Sequence, residues 1–409
     1  MSKSISSSSG NKFAPLGWVD SELSELAQHG LRRSLRIRGG AQGATIRLDG
    51  RELINFGSND YLGLAADGRL VAAARRALDS EGWGSGASPL ICGRSEAHAR
   101  LEEGIAEFEG CPAALLFPSG FAANAGTVAA LVGREDVVFS DASNHASLID
   151  GCRLARAEIQ VYRHGDCDHL RTLLKQSSSA RRRLIVTDTL FSMDGDLAPL
   201  PQLVALSDEF GCMLMVDEAH ATGVFGKNGR GVAEHFGVDA QIDIKVGTLS
   251  KALGGAGGFV CGSRALVDWL QNRARPYVYS TAQPPAVAAA ALAALHIVES
   301  EPQRRAELLQ RAESLRSQLA TQGWPLGTST SQIIPIYVND AHRVMQLSTR
   351  LAEQGFYVPG IRPPTVPAGQ SLLRLSLCHG HHDVILARFL QAMHGLREGP
   401  FVSQKAGTP

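Results

Sequence analysis

The chain has 409 residues, of which 44% are apolar and 20% are charged, a composition typical of folded globular proteins. Its 40 Lys and Arg residues balance 40 Asp and Glu residues, so no excess of charge favours nucleic acid or an anionic membrane as a partner. This length predicts about two or three folded units.

Neither the cysteines nor the N-terminus indicates secretion. The seven cysteines are scattered and include no C-x-x-C pair, which argues against a disulfide framework and against a zinc finger. Residues 1–11 are Ser-rich and lack the apolar core of a signal peptide, and no run of about 18 apolar residues occurs. We predict a cytoplasmic protein with no membrane or nucleic-acid partner.

Short β-rich runs alternate with helical patterns between residues 53 and 260. Because the runs are apolar on both faces, they predict a mainly parallel sheet flanked by helices, that is, an α/β fold. The predicted strands are residues 113–117, 136–140, 158–162, 184–187, 213–216, 243–246 and 258–261. Helical patterns at 97–109, 121–131 and 201–210 lie between them.

The pattern changes after Pro284 and Pro285. An Ala-rich helical stretch reaches about residue 300 and is followed by a helix of about two dozen residues. Strand and helix patterns then alternate from Ile333 to the polar tail after Leu396. We predict an N-terminal segment (1–58), a large α/β domain (59–297) and a smaller α/β C-terminal domain (298–409).

Two features suggest competing functions. Residues 216–220 read V-D-E-A-H, the letters of a helicase motif, but the chain lacks the G-x-x-x-x-G-K-[ST] phosphate loop that ATP hydrolysis needs. The cluster from Cys378 to His382 has ligand-type residues without the i, i+4 or C-x-x-C spacing of metal sites. We predict neither a helicase nor a metal site.

Five polar segments each follow a predicted strand, where open α/β sheets bind ligands. In 117–124, F-P-S-G-F-A-A-N, Gly120 allows a tight turn into a helix whose free N–H groups attract anions. Residues 141–147, D-A-S-N-H-A-S, place His145 just after a strand, where an imidazole could stack on a planar ring or move protons. Taken alone, a capping or core histidine is the more frequent case.

The other three segments supply a carboxylate and an amine. They are 189–197, T-L-F-S-M-D-G-D-L; 216–223, V-D-E-A-H-A-T-G; and 247–255, G-T-L-S-K-A-L-G-G. A carboxylate at the end of a buried strand is costly without a cation or several donors, so Asp217 needs a positive partner. A partly desolvated lysine loses its proton readily and can form an imine, although a lone lysine such as Lys251 is usually a solvated surface group.

Together these residues match the needs of pyridoxal phosphate. This cofactor requires an imine-forming lysine, a carboxylate for its pyridinium nitrogen and donors for its phosphate. Lys251 and Asp217 supply the first two, and the Gly120 turn supplies the third together with Thr248 and Ser250. The protonated ring would be the cation that Asp217 needs.

From about residue 31 to 396 the chain resembles the α-oxoamine synthase family of fold-type I pyridoxal-phosphate enzymes. The resemblance implies an aspartate aminotransferase-like fold and a homodimer. It rests on seven motifs in the same order, N-D-Y-L-G-L (59–64), S-G-F-A-A-N (119–124), H-A-S (145–147), F-S-M-D-G-D (191–196), V-D-E-A-H-A-T-G (216–223), T-L-S-K (248–251) and I-R-P-P-T-V-P-A-G (361–369).

The resemblance also implies a role for each matching residue. Lys251 would carry the cofactor, Asp217 would hold its ring nitrogen and His145 would stack on the ring, and these three would be the catalytic residues. The remaining predicted contacts are Ser192 and His220 for the phenolic oxygen, Gly120, Phe121 and Thr248 for the phosphate, and Arg32, Asn59, His145, Thr365 and Arg374 for the substrate.

The activity implied by the resemblance is that of an acyltransferase in biotin biosynthesis. It would join L-alanine to a pimeloyl thioester with loss of carbon dioxide, and the I-R-P-P-T-V-P-A-G string favours this choice. The alternatives are a member that uses glycine and an acetyl thioester, or another α-oxoamine synthase. The sequence leaves open whether the acyl carrier is coenzyme A or a carrier protein. One departure from the family pattern is Glu218, where relatives often have Asp, and we expect its side chain to face away from the ring.

Overall fold

The computed structural model describes residues 15–398. The Ser-rich N-terminal residues and the end of the polar C-terminal tail, both singled out from the sequence, lie outside this range. The strands are β1 (Arg38–Gly39), β2 (Thr45–Leu48), β3 (Arg51–Asn55), β4 (Ala113–Phe117), β5 (Val137–Asp141), β6 (Glu158–Tyr162), β7 (Arg183–Asp188), β8 (Met213–Asp217), β9 (Ile244–Thr248), β10 (Gly258–Gly262), β11 (Ile333–Tyr337), β12 (Phe356–Tyr357), β13 (Gly360–Ile361) and β14 (Leu372–Ser376).

The helices lie between these strands and at both ends of the described range. They are α1 (Trp18–Gln28), α2 (Gly68–Glu81), α3 (Glu96–Glu109), α4 (Gly120–Leu131), α5 (Ala146–Ala155), α6 (Cys167–Gln176), α7 (Leu200–Phe210), α8 (Val232–His235), α9 (Arg264–Arg273), α10 (Arg275–Val278), α11 (Pro285–Ser300), α12 (Gln303–Thr321), α13 (Ala341–Glu353) and α14 (Asp383–Glu398).

A seven-stranded sheet in the order β4-β10-β9-β8-β7-β5-β6 forms the centre of the protein. Five neighbouring strands are parallel, whereas β10 runs antiparallel to both β4 and β9. Strands β4, β5, β9 and β10 are buried along their whole length, and separate apolar clusters cover the two faces of the sheet. The predicted mainly parallel α/β sheet is therefore confirmed, and its seven strands lie within two residues of the predicted limits.

The chain after α11 builds a smaller antiparallel sheet, β11-β14-β13, followed in sequence by α14. Helix α12 is shorter than the sequence suggested, because Pro302 precedes it and the chain turns at Gly323, which has φ +79°. Near the N-terminus, β3 pairs in parallel with β12, so residues 51–55 share a sheet with the C-terminal part of the chain. The predicted domain limits at 58 and 297 stay a prediction.

Parallel strands end at the same edge of a sheet, and this edge gathers the polar segments found in the sequence. Asp141, Asp188, Asp217 and Thr248 are the last residues of β5, β7, β8 and β9. Within residues 15–398, no helix combines the length and the apolar character needed to cross a membrane.

Candidate active site

Two buried carboxyl groups lie at the centre of this edge. Asp188 and Asp217 end neighbouring strands and are directly paired in the register of β7 and β8. The Asp217 carboxylate accepts hydrogen bonds from the Asn124 side chain and from the Ala219 amide, the latter at 2.7 Å. Burial, together with the charge of Asp217, raises the pKa of Asp188 well above its usual range. A cation at this point would relieve the repulsion between the two groups.

The Lys251 amine lies three residues beyond the end of β9. Burial lowers its pKa to about 8, although the charges of Asp217 and Asp188 act in the opposite direction. In the part of the chain that the structure describes, no carboxylate lies within ion-pair distance of Nζ and no hydrogen bond involves it. A substantial fraction of this amine is therefore neutral and free to react at slightly alkaline pH.

The start of α4 forms a cradle for an anion. Ser119 caps the helix by accepting a hydrogen bond from the Ala122 amide at 3.1 Å. Within residues 15–398, the amides of Gly120 and Phe121 have no acceptor. Gly258 lies so close to this turn that an added Cβ would be 2.6 Å from the Gly120 nitrogen. Two free N–H groups at a helix N-terminus suit a phosphate group.

Two hydroxyl groups lie beside this helix start. The Thr248 hydroxyl is only 3.4 Å from where a Cβ on Gly120 would lie, so it borders the cradle. It donates to the Gly257 carbonyl at 2.7 Å and lies 2.8 Å from the Ser250 hydroxyl. Ser250 is exposed at this edge. Because Thr248 gives its one proton to Gly257, Ser250 is the donor in the contact with Thr248 and would have to turn away from it to donate to an anion.

His145 caps α5 next to Asp188. Its amide donates to the Asp188 carboxyl at 2.6 Å, and its Nδ1 accepts from the Ser147 amide at 3.2 Å. Partial burial lowers the pKa of the ring, Lys251 adds to this effect, and Asp217 opposes it. Because Nδ1 accepts a hydrogen bond, the neutral ring carries its proton on Nε2.

His220 is a second neutral imidazole at the site. It is almost fully buried, and burial lowers its pKa well below the usual range, with further contributions from Lys251 and Arg374. Its Nδ1 lies 2.6 Å from the Tyr61 hydroxyl, and Gln332 donates to its backbone carbonyl at 2.9 Å. The contact with Tyr61 therefore orients the ring, and Gln332 holds the backbone of the same residue.

Arg374 brings a buried positive charge from β14 to the same place. Its guanidinium donates to the Ser192 carbonyl, to the Asn59 side chain at 3.2 Å and to the Ser376 hydroxyl at 2.7 Å. It is 5% exposed, and within the described residues it has no acidic partner. A buried guanidinium without a carboxylate is suited to binding one from a ligand.

Two predicted substrate residues lie apart from this group. Arg32 and Thr365 are exposed, and in the described part of the chain no hydrogen bond joins either of them to Lys251 or its neighbours. Thr365 accepts from the side chain of Arg33 at 2.8 Å, and the Arg32 carbonyl accepts from Arg362 at 2.9 Å. Their predicted role in substrate binding stays a prediction.

Glu218 contacts a different set of atoms from Asp217. It is buried and accepts from the Val232 and Ala233 amides at 2.9 and 2.8 Å and from the Thr189 hydroxyl at 2.6 Å. The Glu218 side chain, which departs from the Asp of the family pattern, therefore anchors the start of α8. Such contacts are those expected of a side chain that faces away from the ring.

Sequence reasoning missed three residues at this site. Asp188, Asn124 and Tyr61 hold His145, Asp217 and His220 respectively. The sequence did contain a signal for Asp188, because this residue ends an apolar strand just as Asp217 does. Asn124 and Tyr61 occur within recognised motifs, but nothing in the sequence showed which side chains they would contact.

The assembled residues fit pyridoxal phosphate. The free amides of Gly120 and Phe121 suit its phosphate, Asp217 suits its pyridinium nitrogen and the unpaired Lys251 amine suits its aldehyde. Each group is of the type that the cofactor needs, and two of them have no partner of their own in the described residues.

Comparisons with known proteins agree with this assignment. Residues 51–392 match the family model described as aminotransferase class I and II. The chain is 51% identical over 377 residues to an 8-amino-7-oxononanoate synthase of Geobacter sulfurreducens, an alignment that covers 92% of this chain and 96% of the relative. It is 50% identical to one of Anaeromyxobacter dehalogenans, with 92% and 95% covered.

Solved structures show the same fold. A serine palmitoyltransferase of S. paucimobilis with bound PLP and myriocin has a TM-score of 0.89 and 32% identity, with 94% of this chain and 98% of the other covered. An 8-amino-7-oxononanoate synthase of Francisella tularensis has a TM-score of 0.73 and 31% identity, with 85% and 98% covered.

The chain belongs to the aminotransferase class I and II family and, within it, to the α-oxoamine synthases. The predicted family, the fold-type I architecture and pyridoxal phosphate as cofactor are thereby confirmed. The protein is a pyridoxal-phosphate-dependent acyltransferase.

Proposed function

We propose that this enzyme joins L-alanine to a pimeloyl thioester and forms 8-amino-7-oxononanoate, carbon dioxide and the free thiol carrier, a step of biotin biosynthesis. The observation that carries the proposal is 50–51% identity over 92% of the chain to relatives named 8-amino-7-oxononanoate synthase. By analogy with other fold-type I enzymes, we propose a homodimer.

The amino acid binds through its carboxylate. Arg374 is the candidate partner because its buried guanidinium has no acidic group of its own among the described residues. Asn59 accepts from Arg374 at 3.2 Å and keeps the guanidinium oriented. Arg32 and Thr365 are assigned to the substrate, as the family resemblance implies.

Bound pyridoxal phosphate supplies a cationic ring that accepts the electron pair released at the amino acid Cα. Asp217 would hold the ring nitrogen in its protonated form, because a buried carboxylate favours a neighbouring cation and two donors of its own keep it in place. The amides of Gly120 and Phe121, with Thr248, would bind the phosphate. Ser192 and His220 would lie near the phenolic oxygen.

Lys251 and His145 act on the reacting atoms. The neutral Lys251 amine removes the proton from the alanine Cα, which its lowered pKa allows near neutral pH. His145 would cover the ring and, with its proton on Nε2, would donate toward the thioester carbonyl oxygen. The Cα then bonds to the thioester carbon and the thiol leaves, after which the bond from Cα to the carboxylate breaks and a proton returns to Cα.

A matrix of substrates tests the proposed reaction. Alanine, glycine and serine are each combined with pimeloyl, acetyl and palmitoyl thioesters, on coenzyme A and on a carrier protein, and the released carbon dioxide and thiol are measured. The highest kcat/KM is expected for alanine with a pimeloyl thioester. A preference for glycine with an acetyl thioester would show that the enzyme is the sibling acetyltransferase.

The role of Lys251 has its own test. Borohydride reduction of the holoenzyme should fix the mass of the cofactor onto the wild-type chain but not onto Lys251→Ala, which should also lose turnover. Lys227→Ala, at an exposed lysine, is the matched control and should behave as wild type. Labelling of Lys251→Ala at the wild-type level would rule out Lys251 as the anchoring amine.

A further inference from the structure

His164 lies between two aspartates at the same edge of the sheet. Its Nδ1 is 2.9 Å from Asp141 Oδ1, and its Nε2 is 3.0 Å from Asp196 Oδ2. The ring meets Phe191 edge-on, with centroids 4.3 Å apart and an interplanar angle of 84°. A ring that donates from both nitrogens satisfies both carboxylates at once, so this geometry fits an imidazolium.

The charges around His164 favour this cationic form. The hydrogen bond to Asp141 and then that to Asp196 raise its pKa to about 10, against a smaller effect of burial. On the same loop, Arg163 forms an ion pair with Asp166 at 2.7 Å and does not contribute to the pKa shift of His164. The ring therefore remains charged throughout the neutral range.

The two aspartates belong to segments that carry different predicted cofactor contacts. Asp141 ends β5, and His145 follows it four residues later. Asp196 lies in the loop after β7 that contains Ser192, and the Ser192 carbonyl accepts from Arg374. His164 is therefore a bridge between the segment of His145 and the loop of Ser192.

The loop of residues 191–196 is also held on its far side by the C-terminal sheet. Asp194 accepts a hydrogen bond from the Tyr337 hydroxyl. Gly195, with φ +71°, lies so close to Ile333 that an added Cβ would be 2.2 Å from the Ile333 carbonyl oxygen. The loop is thus held by the C-terminal sheet on one side and joined to the end of β5 through His164 on the other.

We propose that the His164 imidazolium is a positioning residue that sets the spacing between His145 and Ser192 by donating one hydrogen bond to Asp141 and one to Asp196. Without this cation, two carboxylates would face each other across the gap, one of them nearly fully buried. The positioning role rests on the proposed cofactor contacts of His145 and Ser192. The positive charge on His164 is independent of those contacts.

Nitrogen NMR of the full-length apoenzyme labelled at histidine tests the charge directly. The His164 signal is identified by its loss in His164→Gln, and at pH 8 both of its ring nitrogens should be protonated. Asp196→Asn keeps an acceptor oxygen and removes one charge, so it should lower the proton affinity of His164 at least tenfold. A neutral His164 ring at pH 8 in the wild type would overturn the proposal.

Cofactor affinity tests the positioning role. Because a hydrogen bond to a charged group contributes more than a neutral one, His164→Gln should weaken pyridoxal phosphate binding about tenfold, measured by fluorescence titration. Asp196→Asn should bind as wild type near pH 6 and progressively more weakly as the pH rises. The control, His296→Gln, replaces an exposed histidine on α11 and should bind as wild type.

The outcomes separate this inference from the proposed reaction. A charged His164 with unchanged cofactor affinity in both His164→Gln and Asp196→Asn would refute the positioning role and leave the reaction untouched. Failure of the wild type to condense alanine with pimeloyl thioesters would refute the proposed reaction, whereas the charge and the cofactor affinities would still stand.

Discussion

Asp188 and Asp217 are paired residue to residue at the ends of two neighbouring parallel strands, although both are acidic and buried. Such a pair is unfavourable unless one group is protonated or a cation lies beside both. The raised pKa of Asp188 favours its protonated form, which removes one of the two charges. The nearby Lys251 amine supplies part of the positive charge that the pair needs. A cationic ring bound at this site would offset the electrostatic cost of burying the two carboxyl groups side by side.

This arrangement predicts how Lys251 titrates. Both aspartates raise its pKa while burial lowers it, so Asp217→Asn should move the midpoint below the wild-type value of about 8. The pH dependence of the reaction between apoenzyme and pyridoxal, which lacks the phosphate, reports this midpoint. Asp79→Asn, at an exposed position on α2, is the control and should not move it. A midpoint that rises in Asp217→Asn would contradict the argument.

The approach of Gly258 to the start of α4 predicts a selective loss of phosphate binding. In Gly258→Ala the new methyl group would meet the Gly120 nitrogen at 2.6 Å, so the cradle must shift. Strain of about 1–3 kcal/mol corresponds to about 5- to 150-fold weaker binding of pyridoxal phosphate.

Two comparisons make this result specific. Binding of pyridoxal should change little in Gly258→Ala, since it has no phosphate to place in the cradle. Gly133→Ala adds a methyl group into open space and should leave both affinities unchanged. An equal loss for pyridoxal and pyridoxal phosphate would mean that the substitution damages the fold more widely.

The sequence predicted the strand ends well because apolar runs and the polar residues after them are local signals. It predicted Lys251 and Asp217 as partners because the cofactor requires such a pair. It did not predict Asp188 beside Asp217, since the register between strands depends on packing that no local pattern encodes. The bridging position of His164 was missed for the same reason, because its two partners come from separate loops.

Arg374 is predicted to affect the amino acid more than the cofactor. Arg374→Lys keeps the charge but cannot hold Ser192, Asn59 and Ser376 together while also binding a carboxylate. A loss of charged hydrogen bonds of about 1.5–3 kcal/mol predicts a fall in kcat/KM for alanine of about 10- to 100-fold.

Steady-state kinetics at varied alanine and at varied thioester distinguish this effect from a general one. The KM for alanine should rise, whereas the KM for the thioester should change little. Arg182→Lys, whose arginine donates to the Leu131 carbonyl at 3.0 Å, is the control and should keep wild-type kinetics. A loss confined to the thioester would assign Arg374 to the acyl donor instead.

His164 also makes the stability of the protein depend on pH in a defined direction. Its pKa is about 10 in the folded state and about 6.5 in an unfolded chain, so the folded state binds the proton more tightly. The stabilisation is complete below pH of about 6.5 and is lost as the pH rises toward 10. Urea unfolding of wild type and His164→Gln should therefore differ most at pH 6 and converge by pH of about 10. A difference that grows between these pH values would show that the ring is neutral in the folded protein, whatever its distances to Asp141 and Asp196.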